Sequence, residues 1–383
     1  MPPDTTAVSV RPVDSASDAR RFLDFAYEVP YYQDNHNWVP PLRLDQRTIQ
    51  NPKKNAFFEH GRWQRFLAED GAGNVLGRIA GIVNGMHLET YDDHVGFFGF
   101  FECIDRYDVA EALLDAAADW LREQGLQAMR GPANPSLNDV AGLLMDGFNK
   151  EPMLLMPYNP PYYADFLHLY GFERSMTMWA YYVHRHYLDL DRMKRGAALV
   201  QRRYPDVTVR ALDMNRYDDD VAHVLRIYND AWVGNWGFVP ITPSELKQLE
   251  KELKPVIVPD LVYFIEVGGE PVAFSVTLPN LNQVLKKLPD GKLLSTGLPK
   301  MLLAMKLGAV QEVRMPLMGV LPAYQGRGLD VLLVMATIEA GIPLGYRACE
   351  MSWVLDTNKK LTNLLDSFGS IRDKEYALFE KPL

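Results

Sequence analysis

The chain has 383 residues, of which 48% are hydrophobic, 11% aromatic and 23% charged. That is enough apolar material for large cores, which excludes a disordered chain, and the length suits two domains. Forty basic residues against 49 acidic ones leave a net charge of −9, with no basic run, so no nucleic-acid partner is expected.

The N-terminal MPPDTTAVSV lacks the basic start and apolar core of a signal peptide, so a cytoplasmic protein is expected. VSVRPV (8–13) reads as a strand, and SASDARRFLDFAYEV as an amphipathic helix with a serine N-cap. Residues 65–84 read as a hairpin with a glycine-rich turn. HVGFFGFFECI (94–104) is a long apolar strand. The helix over 108–125 puts Leu113, Leu114, Ala117, Trp120 and Leu121 on one face. A strand, LQAMRGP, leads into RGPANPSLNDVAGLLMDGFN (130–149). That loop is rich in small polar residues and turn formers, Asn134, Pro135, Ser136, Asn138 and Asp139 among them. Such a loop either shapes a binding site or is a surface loop held by Asx turns. MPYNPPYY (156–163) reads as an aromatic pocket wall or a stiff buried connector. A helix and a strand over 159–184 close the first half, and 187–206 reads as a polar helical connector.

The order then repeats. VTVRAL (207–212) is a strand, and DDDVAHVLRIYNDAW a helix with acidic residues in its first turn. Residues 262–280 form a hairpin turning at Gly268-Gly269, and VRMPLMGVLP (313–322) a strand. The next helix places Leu329, Leu332, Leu333 and Ala336 on one face. It is short and carries Asp330 and Glu339, so it is no membrane span, and no membrane partner is expected. ACEMSWVL and the helix and strand of 358–383 finish the chain. The repeated order β-α-(α)-β-β-β-α-β-α-β implies a duplicated α/β fold with mixed sheets. Its parts are a first domain over 1–186, the connector over 187–206 and a second domain over 207–383.

Cys103 and Cys349 lie far apart, without a Cys-x-x-Cys or Cys/His cluster, and His184 and His186 have no third ligand. No metal is expected.

The most specific stretch is VLPAYQGRGLD (320–330), two glycines and an arginine between a strand and an apolar helix. It has neither the lysine of a Walker A loop nor the third glycine of a dinucleotide fingerprint. A plain turn whose glycines permit positive φ is one reading. The stretch also resembles the acyl-CoA motif of the GNAT superfamily, V-x-P-x-x-[QR]-G-x-G-[LIV]-G. The resemblance implies that Gln325, Gly326, Arg327, Gly328 and Leu329 hold the coenzyme A pyrophosphate on bare N–H groups and the helix dipole. It further implies that Met318, Gly319 and Val320 pair with the pantetheine amides, and that Asn358 lies beside that arm. Asp330 stands where the family has glycine or alanine. Leu365 stands where many members carry a tyrosine acid. In the first half, FFECIDRYDVAEA has no glycine at the equivalent turn and carries Glu102, Asp105 and Asp108, a poor phosphate site. The whole chain resembles a largely uncharacterised bacterial family of tandem GNAT proteins, through NWVPPLRLD, NPKKNAFFEHG, RGPANPSLND, MPYNPPYY and YALFEKPL.

The resemblance implies transfer of an acyl group from acetyl-CoA or another acyl-CoA to an amine, on a small molecule or peptide. In some acetyltransferases a glutamate near the position of Glu312 is the base, and the plain alternative is a strand-end carboxylate. Asp356 is either a carboxylate near the cleft or a helix cap. Asn134, Ser136, Asn138 and Asp139 are the candidates for acceptor contacts. The rival function is a non-catalytic acyl-CoA-binding or scaffolding protein, which Asp330 and Leu365 favour.

Overall fold

A computed structural model describes residues 7–288, 290–293 and 297–383, without the side chains of 297, 298, 300, 302 and 306. The chain divides into two compact units. One is Met1–Thr177 with Leu288–Leu293 and Glu375–Leu383, and the other is Met178–Lys287 with Leu294–Lys374.

The first unit holds strands β1 (Ser9–Pro12), β2 (Gly61–Glu69), β3 (Val75–Asn84), β4 (Val95–Cys103), β5 (Ala128–Gly131), β6 (Ala133–Asn134), β7 (Val140–Ala141) and β8 (Leu143–Asp146). Its helices are α1 (Ala16–Phe25), α2 (Pro30–Gln33), α3 (Arg43–Ile49), α4 (Gly85–Thr90), α5 (Tyr107–Glu123) and α6 (Tyr162–Leu169). The Ser15 hydroxyl caps α1 by accepting the Asp18 N–H at 3.0 Å. On α5 the expected apolar face is buried: Leu113, Leu114, Ala117 and Leu121 lie in the core, and Trp120 packs partly against it. Truncating one of those leucines to alanine would cost about 2–5 kcal/mol.

The remaining strands are β9 (Glu173–His184), β10 (Val207–Ala211), β11 (Val262–Val267), β12 (Glu270–Pro279), β13 (Glu312–Val320), β14 (Ala348–Leu355) and β15 (Ile371–Pro382). The second unit's helices are α7 (Leu190–Arg203), α8 (Tyr217–Ala231), α9 (Pro243–Leu253), α10 (Asn282–Leu285), α11 (Gly297–Lys306), α12 (Leu329–Gly341) and α13 (Lys359–Ser367).

Each unit has one strand order. In the first it is β1-β2-β3-β4-β5-β15, and in the second β10-β11-β12-β13-β14-β9. All neighbours run antiparallel except β4 with β5 and β13 with β14. The units are therefore not the contiguous 1–186 and 207–383. From Met178 onward β9 pairs with β14, and from Glu375 onward β15 pairs with β5 and β8. A strand's partner is chosen by contacts remote in sequence, which local periodicity does not record.

The copies share side-chain detail as well. Arg11 of β1 holds Asp18 (2.6 Å) and Glu69 (2.8 Å), and Arg210 of β10 holds Asp220 (2.6 Å) and Glu266 (2.5 Å). Asp220, in the first turn of α8, is thus buried in an ion pair as well as facing the helix dipole.

The expected connector is also part of the second unit. Met193 of α7 is buried against Val334 and Met335 of α12. This cover explains why α12 is apolar on more than one face: besides Leu329, Leu332 and Leu333 it buries Val334, Met335 and Thr337, while Ala336 is only half-buried.

Candidate active site

The site starts from a register. β13 and β14 pair in parallel from Glu312 with Ala348 to Met315 with Met351. Beyond that point β13 continues beside β12 and β14 beside β9. Among the described residues the two strands pair no further, so they fork. The cause lies at Met315-Pro316. The β12–β13 register slips by one residue between Val276 with Leu317 and Leu278 with Arg314, a bulge on β13. Pro316 has no N–H to give to a ladder.

The polar groups on the open edge follow from that register. Leu321 N–H donates to the Val272 carbonyl, so Leu317 and Gly319 turn their polar groups to β12, and Met318 and Val320 turn theirs away. The Met318 carbonyl accepts the Trp232 indole N–H at 3.4 Å, and the Val320 carbonyl accepts the Gln325 amide at 3.1 Å. Past the crotch on β14, the Trp353 indole nitrogen is buried without a hydrogen-bond partner among the described residues.

The fork ends at the glycine turn. Gly326 has φ of 74° and Gly328 of 80°, and Gly328 is the N-cap of α12. Both glycines are needed for backbone shape, and a Cβ at Gly328 would also stand 2.8 Å from Val200 of α7. The N–H groups of Gly326, Gly328, Leu329 and Asp330 have no acceptor among the described residues. Val331 N–H, by contrast, donates to the Gly328 carbonyl (3.1 Å) and the Asp330 carboxylate (3.0 Å). Asp330 therefore consumes one amide of the helix start. Arg327 is exposed, donates to the Ala323 carbonyl at 3.0 Å and lies over the Tyr324 ring at 4.7 Å. Arg203 and Arg327 both face the Tyr204 ring, at 5.6 Å each, which gathers two guanidinium groups beside the turn. Bare amides, a helix N-terminus and two cations fit a pyrophosphate.

At the crotch a set of charges is buried. Lys374 donates to Glu350 (2.8 Å) and Asp373 (2.9 Å), and the Ser352 hydroxyl donates to Glu350 (2.8 Å). Arg314 donates to the Ser352 hydroxyl and carbonyl, both at 2.9 Å. Burial by itself would lower the Lys374 ammonium, but Glu350 and Asp373 outweigh it and raise it. Two cations against two carboxylates leave the set balanced, and its hydrogen bonds tie β13 to β14 where they part. Removing one member of such a set costs about 3–5 kcal/mol.

Glu312 lies at the other end of β13 from the turn, three residues or about 10 Å before the crotch. Its carboxylate accepts the Tyr182 hydroxyl at 2.9 Å and the Asn280 amide at 3.3 Å. Burial, and next the Glu312 charge, push the Tyr182 hydroxyl well above the usual tyrosine range. Asp356 is not the cap of α13. It accepts the Trp179 indole N–H and Lys359, both at 3.0 Å, and these bonds hold its carboxyl below the usual range. Asn358 is the cap, with its side-chain oxygen on Leu361 N–H. Leu365 is buried with Tyr181, Met315, Met351 and Val354. Trp179, Tyr181 and Tyr182 come from β9, in a stretch whose place in the repeat assigned it to the other half.

The loop candidates lie in the first unit, and the side chains of Asn134 and Ser136 serve its backbone. The Asn134 side-chain oxygen accepts the Phe100 N–H at 2.5 Å, and Ser136, buried, accepts the Asn138 N–H at 3.0 Å. Asn138 and Asp139 are exposed on the turn that follows. Here β4 and β5 also fork, after Phe97 with Arg130, with the matching bulge between Gly99 and Glu102. The space is taken by the chain itself: a Cβ at Gly99 would overlap the Ala133 carbonyl oxygen. Of the acidic turn, Glu102 accepts the Tyr32 (2.9 Å) and Tyr163 (2.7 Å) hydroxyls, Asp108 pairs with Arg106 (2.5 Å), and Asp105 is exposed. In MPYNPPYY, Tyr163 is in the core and the half-buried Tyr158 and Tyr162 put their hydroxyls on backbone carbonyls, while Tyr162 also lines a pocket with Tyr31 and Asn35.

Under α8 and α9 lies a narrow apolar cavity of about 70 Å³. Val224, Tyr228, Leu246 and Leu249 wall it, and Val276 of β12 and Leu317 of β13 form its floor. Leu317 is the first β13 residue beyond the bulge, so the cavity ends beside the fork. Among the described residues no group of three or more His, Cys, Asp or Glu side chains is placed to hold a metal.

A parallel pair that forks at a bulge, with a turn and helix after the first strand, is the GNAT fold, and the chain carries it twice in tandem, with the glycine turn in the second copy. No family model matches the chain. It is 37% identical over 391 residues to the bacterial ceramide synthase of Caulobacter vibrioides, with 100% of each covered. It is 33% identical over 378 residues to protein YghO of Escherichia coli, covering 98% of this chain and 95% of YghO. The chain belongs to the family of these two proteins. Among solved structures, a tandem GNAT protein of the clavulanic acid pathway matches with a TM-score of 0.55 and 13% identity over 98% of both chains. A GCN5-related glucosamine N-acetyltransferase region of a fungal β-N-acetylglucosaminidase matches with a TM-score of 0.57 and 14% identity, over 99% of this chain and 38% of that one.

Proposed function

We propose that the chain is an acyl-CoA-dependent N-acyltransferase that works in the C-terminal fork on a long-chain amine. The observation that carries this is the open edge of β13 running from the crotch to a turn with bare N–H groups. Gly326, Gly328, Leu329 and Asp330 would hold the pyrophosphate, aided by Arg327, and Met318 and Val320 the pantetheine amides. Acyl-CoA supplies a thioester carbonyl already activated toward amines. Glu312, on the paired side of the crotch, would take a proton from the ammonium form of the acceptor through bridging water, and Tyr182 and Asn280 steady its oxygens. The neutral nitrogen forms the C–N bond, the C–S bond breaks, and the proton that the nitrogen then sheds balances the sulfur, which leaves as free thiol. The first unit, with its fork filled by Ala133-Asn134, binds no coenzyme A. A long-chain acceptor is supported by the relative named ceramide synthase, since a ceramide is an N-acylated long-chain amino alcohol. The apolar cavity ending at Leu317 supports it too.

The test is release of free thiol from acetyl-CoA and from a long-chain acyl-CoA, across amines of increasing chain length. Release that rises with acceptor chain length is expected. If coenzyme A binds but no amine releases thiol above hydrolysis, the non-catalytic reading takes its place. Asp330, on an amide of the helix start, and Leu365, buried where an acid would stand, favour that second reading.

A further inference from the structure

The acidic total of the chain conceals a basic stretch. Residues 282–309 contain Lys286, Lys287, Lys292, Lys300 and Lys306 against the single Asp290. They belong to the connection between the antiparallel neighbours β12 and β13, residues 280–311, whereas the equivalent connection in the first unit is residues 85–94. Strands of this kind need only a short turn, so the long segment answers to something other than the sheet. Within it α11 reads GLPKMLLAMK. Met301 is buried at 5% exposure, but Leu303 and Leu307, one turn apart, are 55% and 76% exposed. A lone exposed leucine needs no explanation. Two on one helix face, inside a basic stretch of an acidic chain, form an amphipathic interfacial pattern. Gly308, at φ of 76°, ends the helix, so the pair lies at its last turn.

We propose that α11 docks the protein on an anionic lipid surface, with Leu303 and Leu307 entering the acyl boundary and the exposed Lys286 and Lys287 meeting headgroup phosphates. The occupant follows from complementarity. Bulky apolar groups seek hydrocarbon, and the lysines seek negative charge that the rest of this chain would repel. No helix among the described residues is long and apolar enough to cross a membrane, so this is attachment at the surface. α11 is also placed for the chemistry. It hands over to Glu312, which with Gln311 is tied to α10 by the Gln283 side-chain oxygen. That is the end of β13 opposite the glycine turn, so an acceptor drawn from a bilayer would reach the fork from the Glu312 end. This link to the acceptor rests on the proposed function. The docking itself does not.

The full chain is sedimented with vesicles of equimolar phosphatidylglycerol and phosphatidylcholine, and with vesicles of phosphatidylcholine alone. We expect binding to the anionic vesicles that weakens with added salt. Binding should fall at least about tenfold in the Leu303→Glu/Leu307→Glu variant and in Lys286→Glu/Lys287→Glu, with melting temperature and coenzyme A binding unchanged. Wild-type protein left in the supernatant, or variants that sediment like wild type, would overturn the proposal, the first pointing to a protein partner for α11. Transfer to an amine dissolved in detergent micelles separates the two readings. It should be unaffected by the leucine variant. Its absence in wild type removes the enzyme reading while the sedimentation result stands.

Discussion

The Tyr182 hydroxyl donates to Glu312 Oε1 at 2.9 Å, so a strand from the first half of the sequence holds the carboxylate that precedes the C-terminal fork. If Glu312 is the base, Glu312→Gln should lower kcat/KM by about 100-fold or more while coenzyme A affinity stays within about twofold. Tyr182→Phe should cost less, about tenfold, because it loosens the carboxylate without removing it. Steady-state rates beside a coenzyme A titration check this: an unchanged kcat/KM in Glu312→Gln would make Glu312 a strand-end carboxylate only.

Gly328 and Arg327 separate shape from charge. Gly328→Val places a branched residue at φ of 80° and 2.8 Å from Val200. It should destabilise the second unit by at least about 1–2 kcal/mol, besides weakening coenzyme A. Arg327 is exposed and its contacts are a single carbonyl and two rings, so Arg327→Glu should leave the melting temperature nearly unchanged. Coenzyme A binding should weaken at least about tenfold, or 1.4 kcal/mol. Calorimetry beside thermal melting decides, and the same titration should count one site per chain. Two equivalent sites would mean that the filled fork of the first unit opens.

The cavity under α8 and α9 makes a prediction about chain length. Val224→Phe should fill it and displace roughly two methylenes, at about 0.8 kcal/mol each. KM for a long-chain amine should rise about tenfold, with a short-chain amine unaffected. An equal effect on both would place the alkyl chain elsewhere.

Gly99→Ala probes the first fork. Its methyl group meets the Ala133 carbonyl, backbone that cannot swing aside. We expect a loss of about 3 kcal/mol, read from urea unfolding. A neutral effect would show that Ala133-Asn134 is loosely held.

Glu69 sets part of the acid stability. The hydrogen bond from Arg11 and the bond from Arg21 hold its carboxyl below the usual value of 4.5, against the opposing effect of burial. A folded value below the unfolded one stabilises above about pH 4.5 and loses that stabilisation as the pH falls through the folded value. Glu69→Gln should therefore cost about 1–2 kcal/mol at pH 7. It should also flatten the decline in melting temperature below pH 4.5.

Sequence alone determined what depends on neighbours along the chain. The hairpin turns, the apolar face of α5, the glycines before α12 and the order of elements are written in local periodicity and in residues that permit particular φ angles. The anion turn was legible because its chemistry is carried by one contiguous stretch, QGRGL. The tertiary structure decided the rest. It put β9 beside β14, bringing Trp179, Tyr181 and Tyr182 to the fork, although their place in the repeat assigned them to the first half. It laid α7 on α12, so that Val200 and Tyr204 border the glycine turn. It filled the first fork with Ala133-Asn134, and put the side chains of two of the four polar loop candidates, Asn134 and Ser136, on backbone N–H groups. The reason is the same each time. A strand edge presents the same N–H and C=O groups whatever its sequence, and a polar side chain can serve a ligand or its own backbone. Which partner it meets is fixed by contacts tens to more than a hundred residues apart, not by the residues beside it.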